Sequence, residues 1–179
     1  MNLPDFFIGI GDLLTGSALQ AGALWVLTNV PGFPPIIQTV HILGIAAVMG
    51  TAVLLNLRIL GVAVPSQNIT EMTARIAPVL YIALISNVIS GSFFVFGRPA
   101  RYFNNPVFAW KMLFLLTAVS LLIYFMIMHK KTAGYWEQEK NKWSGRTLAI
   151  VSLGLWLMVS LAGRWIAYLE HLQYPIWSF

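Results

Sequence analysis

The sequence predicts an all-α membrane protein, a four-transmembrane-helix bundle with an N-terminal interfacial amphipathic segment. Three observations carry this. Hydrophobic residues make up 58% of the chain and charged residues only 9%, against roughly 25% charged in a soluble domain. Long apolar stretches follow one another, separated by short polar links. The first of them, Ile36 to Leu55, runs for 20 residues without a formal charge, which at ~1.5 Å per residue is enough to cross a hydrocarbon core of ~30 Å. With 179 residues there is room for one compact bundle. Cysteine is absent, which excludes disulfides, thiolate metal sites and cysteine nucleophiles. The net charge of +5 comes from basic residues at the ends of apolar runs, a pattern of membrane topology and not of nucleic-acid binding.

The chain divides into an N-terminal interfacial amphipathic segment over 1–33, the bundle over 34–171 and an interfacial C-terminal tail over 172–179. No Lys or Arg precedes Arg58, so the basic start of a signal peptide is missing. Asp5, Gly9, Asp12 and Gly16 fall on one side of a helical wheel, and Phe6, Phe7, Ile10, Leu13 and Leu14 fill the rest. Residues 4–15 therefore read as a helix lying in the interface. Residues 18–29 are apolar but too short to span. The alternative is one poor spanning helix from Phe6 to Val30 with Asp12 buried. Pro31, Gly32, Pro34 and Pro35 then break the chain.

The first span lies within Pro35 to Gly61. The second is expected over about Ile76–Gly97, with Pro78 in its first turn, where a missing N–H costs little. The short link from Arg98 to Pro106 makes spans two and three antiparallel neighbours. The third covers about Val107–Met128, a polar segment of mixed charge follows, and the fourth covers about Leu148–Tyr168. Tyr174 and Trp177 in the tail suit an interface. Ala46 and Gly50, with Gly44, Gly154 and Gly163, offer flat spots for close helix approach.

Ionisable residues inside a membrane are functional candidates, because burying them costs several kcal/mol unless they are paired. His129 qualifies at the edge, and three qualify within the spans: His41, Lys111 and Arg164. Counted from their helix ends, these three lie within about a turn of one level near the outer surface. This predicts an outward-facing basic pocket for an anionic or carbonyl-bearing ligand, with Tyr102, Tyr168, Arg98 and Arg101 as further ligand-binding residues. The alternative is that Lys111 and Arg164 snorkel to headgroups and His41 bonds a neighbouring helix. Lys111 and His129 are 18 residues apart, five whole turns, so they share a face and would mark the two ends of one polar seam.

Haem b usually takes two histidines from facing helices. His41 and His171 are the candidate metal ligands, both on the outer side, although they differ in height by roughly 12 Å on the residue count. Arginines could pair the propionates. A quinone needs only an apolar slot with a histidine, arginine or tyrosine donor at its mouth. The spans hold no nucleophile–base pair, phosphate loop or carboxylate pair, which argues against hydrolysis.

His41 to Gly61 (HILGIAAVMGTAVLLNLRILG), Gly91 and Phe96, Arg101 to Lys111 (RYFNNPVFAWK) and Gly163 to Tyr168 (GRWIAY) together resemble the bacterial membrane family DUF6644 over about residues 25–170. The family pattern is expected to carry Asp-Leu-Arg where this chain has Asn56, Leu57 and Arg58. The resemblance implies a membrane bundle and, the family having no known function, no chemistry.

The reading is a small inner-membrane redox or electron-transfer subunit with a site for haem b or a quinone. Its partners would be the lipid bilayer and a larger membrane complex or a homo-oligomer. The competing classes are a non-catalytic accessory or assembly subunit and a small oligomeric transporter.

Orientation follows from charge. Arg58, Arg75, Lys130, Lys131, Lys140, Lys142 and Arg146 lie on one side, and Arg98, Arg101, Lys111 and Arg164 on the other. Positive-inside puts the first group in the cytoplasm and both termini in the periplasm of a bacterial inner membrane. A reporter active only in the cytoplasm, fused after Phe179, should therefore be silent. Strong signal would reverse the orientation.

Overall fold

A computed structural model of the chain describes residues 3–132 and 134–169. It is all-α, with four helices long and apolar enough to cross a membrane. The chain begins with two short helices, α1 (Leu3–Leu14) and α2 (Ala18–Asn29), set at 75° to each other. The break is encoded locally. Gly16 takes a left-handed φ of +78°, which suits a residue without Cβ. Ser17 Oγ accepts from the N–H of Gln20 at 3.2 Å, and Gln20 Oε1 accepts from the N–H of Gly16 at 2.6 Å. This reciprocal capping starts α2 afresh. No single straight helix runs from Phe6 to Val30. The pair lies against the ends of the long helices, consistent with an interfacial position, and that end is called the α1 end below.

Helix α3 (Phe33–Leu60) opens on Pro34 and Pro35 and closes at Gly61, whose left-handed φ of +81° lets the chain turn back on the last carbonyls. Helix α4 (Ile69–Gly97) begins earlier than its apolar stretch predicts. Asn68 Oδ1 accepts from the N–H of Glu71 at 2.7 Å, and this cap recruits the polar turns Ile69 to Arg75 into the helix. Pro78 therefore sits in the helix interior and not in its first turn. The link after α4 folds a short helix, α5 (Pro99–Phe103), before α6 (Pro106–Lys131), which Asn105 caps. Helix α7 (Lys142–Leu169) completes the bundle.

The main helix pairs are α3 with α4, α3 with α7, and α6 with α7. Residue order makes α3 and α7 antiparallel: Asn56 meets Ser152, and Met49 meets Ser160. Helices α4 and α6 are not among the closely packed pairs, contrary to what their short link predicts. The link is a helix of its own and not a tight turn. Among the described residues of each spanning window no more than 28% are buried. The exposed leucines, isoleucines and valines of these helices are the surface a bilayer covers.

At the opposite end the polar segment between α6 and α7 is folded down onto the bundle. Trp136 is buried. Its Nε1–H donates to the Phe125 carbonyl at 3.2 Å, and its ring stacks on Phe125 with centroids 5.2 Å apart. Glu137 accepts from the N–H and the hydroxyl of Thr70, both at 2.9 Å, placing a carboxylate at the N-terminus of α4. At the α1 end, Phe7 packs on Phe103 and Phe108. Gly11 leaves room for Phe103 and Gly97 leaves room for Leu27. Replacing Trp136 by Ala should cost about 3–5 kcal/mol, read as a lower unfolding midpoint in detergent. An unchanged midpoint would mean that the loop does not secure this end.

Candidate functional site

Three polar side chains inside the bundle, His41, Asn87 and Lys111, lie toward the α1 end, each against a glycine of another helix. His41 projects from α3 toward α4. Its Nδ1 lies 2.8 Å from Ser90 Oγ, and Ser90 Oγ–H donates to the Ser86 carbonyl at 2.6 Å. The imidazole meets Phe94 edge-on, with centroids 5.9 Å apart. A Cβ at Gly91 would stand 3.3 Å from His41 Cε1, so the missing side chain makes space for the ring.

One turn before Ser90, Asn87 lies over Gly44 of α3. A Cβ there would approach Asn87 Oδ1 to 2.8 Å. Asn87 Oδ1 is buried without a hydrogen-bond donor, which is costly in an apolar interior unless a ligand or water supplies one. Lys111 comes from α6. A Cβ at Gly163 of α7 would be 3.7 Å from Lys111 Cε and 3.9 Å from Nζ. Lys111 is close enough to His41 for its charge to act on the imidazole. Among the described residues Lys111 has no acidic partner.

Of the residues singled out in the sequence, His41 and Lys111 lie within electrostatic reach of each other. The structure leaves Arg164 exposed. The α7 residue facing Lys111 is Gly163, and one step along a helix turns the side chain by about 100°. Arg164 instead donates to the Tyr168 hydroxyl at 2.5 Å and lies over that ring at 4.8 Å. Tyr168 is itself exposed. Arg98 and Arg101 are exposed at the α5 corner, and Tyr102 packs against Phe108 with centroids 5.6 Å apart. His171 lies outside the described residues. His129 is at the far end of α6, parallel to the Phe125 ring at 6.1 Å. The face between Lys111 and His129 carries Leu115, Ala118, Leu122 and Phe125, all part of the apolar core. It is therefore no polar seam.

The sequence reading passed over Ser90, Asn87 and Gly91 as site residues. Their signal was polar atoms inside an otherwise apolar span. What it lacked was the register that sets them against His41 and Gly44. The glycines also divide differently from the flat-spot reading. Gly44, Gly91 and Gly163 receive polar side chains, whereas Gly50 and Gly154 meet nothing within 4 Å.

A second, smaller polar contact lies deeper along α3 and α7. Asn56 Nδ2 donates to Ser152 Oγ at 3.0 Å, beside a void of about 10 Å³ lined also by Leu55, Phe125 and Trp156. That is about the space of a single water. It satisfies a buried carboxamide but gathers no ionisable group.

Comparison with known proteins places the chain in a family. A family described as "Family of unknown function (DUF6644)" matches residues 31–169, and the chain belongs to it. No curated protein and no solved structure matches.

The glycine seats give a contrast in stability. Gly44→Ala should destabilise the protein by about 1–3 kcal/mol, because Asn87 must leave its position. Gly50→Ala and Gly154→Ala, in open positions, should stay within about 0.5 kcal/mol of the parent. Unfolding midpoints in one detergent check this, and equal effects at all three would show that Gly44 does not serve as a seat.

Proposed function

We propose that this member of the DUF6644 family is a small redox or electron-transfer component of the membrane whose site at the α1 end binds a quinone. One observation carries the reading. Among the described residues, an imidazole with an uncommitted nitrogen and a lysine without an acidic partner lie within electrostatic reach of each other inside the bundle. A cation below the surface without an acid needs solvent, a headgroup or a ligand to offset its desolvation. A quinone head offers an oxygen atom to Lys111 and a flat ring to Phe94, beside His41. It enters from the hydrocarbon phase, where the exposed faces of α3 and α4 lie. In this reading the protein works in a bacterial inner membrane with both termini outside, alone as a homo-oligomer or as one subunit of a larger complex.

A second reading is haem b held through His41. It is supported by the Ser90 contact, since a metal-bound imidazole commonly gives its other N–H to an acceptor. The fit is incomplete among the described residues. Haem b usually takes two histidines, and among the described residues the one besides His41 is His129, at the other end of the bundle. The quinone reading needs one imidazole and is preferred on that ground.

Binding decides between them. In mild detergent, a decyl-substituted benzoquinone should quench tryptophan fluorescence saturably. His41→Ala and Lys111→Met should each weaken that binding about tenfold, the loss of ~1.4 kcal/mol. A Soret band that disappears in His41→Ala and survives in His129→Ala would favour haem. Neither quenching nor a Soret band would leave the accessory-subunit role.

A further inference from the structure

We propose that the site takes its ligand through a hydroxyl group, binding the reduced quinol form in preference to the quinone, with Ser90 as the positioning residue that sets this choice. The inference rests on the quinone reading above and names which member of the couple is held.

The argument is a count of protons. The Ser90 hydroxyl has one. At 2.6 Å from the Ser86 carbonyl oxygen, which has no proton of its own, that proton is committed to Ser86. The 2.8 Å contact between Ser90 Oγ and His41 Nδ1 then requires the imidazole to donate. A neutral imidazole protonated on Nδ1 carries its lone pair on Nε2. His41 therefore presents an acceptor to the site and not a donor.

Asn87 Oδ1 adds a buried acceptor with no donor, and Lys111 supplies an ionised donor. A carbonyl oxygen satisfies Lys111 but brings no proton for the imidazole lone pair. A hydroxyl oxygen does both: it donates to Nε2 and keeps lone pairs for the ammonium. The site as built thus matches a phenolic hydroxyl better than a carbonyl.

The test compares the decyl-substituted benzoquinone with its quinol under anaerobic conditions, on the full chain in mild detergent, by tryptophan quenching. The quinol should bind about tenfold tighter, the value of one added hydrogen bond near its upper range. Ser90→Ala frees the ring to take either tautomer and should bring the two affinities within about threefold. Ser90→Thr keeps the hydroxyl and should retain the preference. Independently of any ligand, protein labelled with ¹⁵N-histidine should show a pyridine-type Nε2 and a pyrrole-type Nδ1 for His41, assigned by their loss in His41→Ala. A lone pair on Nδ1 would overturn the role of Ser90. Equal binding of both forms would overturn the selectivity and leave the quinone reading standing. Binding of neither would overturn that reading and this inference with it.

Discussion

A carboxamide, an imidazole or an ammonium placed in hydrocarbon cannot complete its bonding on the backbone of its own helix as a hydroxyl can, and the arrangement of this bundle follows from that. Helices meet at a separation set by their side chains, so a carboxamide, an imidazole or an alkylammonium fits between two of them only where the facing position is cleared. Gly44, Gly91 and Gly163 do the clearing. Each polar group reaches the interface without forcing the backbones apart, and α3 can keep its close packing on α4. The site and the helix packing are one construction: removing a seat moves a functional group, and removing a functional group leaves a gap over a glycine.

The same requirement explains what was legible in the sequence. The spans were plain because lipid-facing helices must be apolar nearly all round, and length alone then identifies them. His41 and Lys111 were visible because ionisable groups stand out in such stretches. Arg164 stood out equally, yet its partner is Tyr168 on its own helix, one turn away. A residue count gives its level along the helix but not which way it faces, and it is the neighbouring Gly163 that faces Lys111. Ser90 and Asn87 were not separable from ordinary serines and asparagines, because a hydroxyl can satisfy itself on a carbonyl four residues back in the same helix, as Thr39, Ser92 and Thr117 do here. Only the cross-helix contact to His41 distinguishes Ser90, and that contact depends on register between α3 and α4, which composition does not reveal. The start of α4 was missed for a related reason. Its first two turns are polar, so hydropathy leaves them out, while the Asn68 cap includes them.

Polar pairing is distributed unevenly along the bundle. Near the α1 end the described groups include an acceptor without a donor and an amine without an acid. In the deeper half, Asn56 and Ser152 satisfy each other, and at the far end Glu137 and Thr70 do the same. The half with completed bonds serves to hold the helices together. The half with incomplete ones keeps its capacity for a ligand.

The secured loop end also governs how the protein meets membranes of different thickness. The spanning helices are 26 to 29 residues long, about 39–44 Å at 1.5 Å per residue, against a hydrocarbon core of ~30 Å. Part of each helix must stand beyond the hydrocarbon or be taken up by tilt. The polar first turns of α4 project at the loop end, where Glu137 bonds Thr70 and the adjoining Trp136 fixes the loop on Phe125 of α6, so that the loop forms a collar across the two helices. A collar held by a buried tryptophan cannot unwind turn by turn to shorten the spans. Hydrophobic mismatch is therefore met by inclining the whole bundle, and the depth of His41 and Lys111 below the headgroups changes with bilayer thickness.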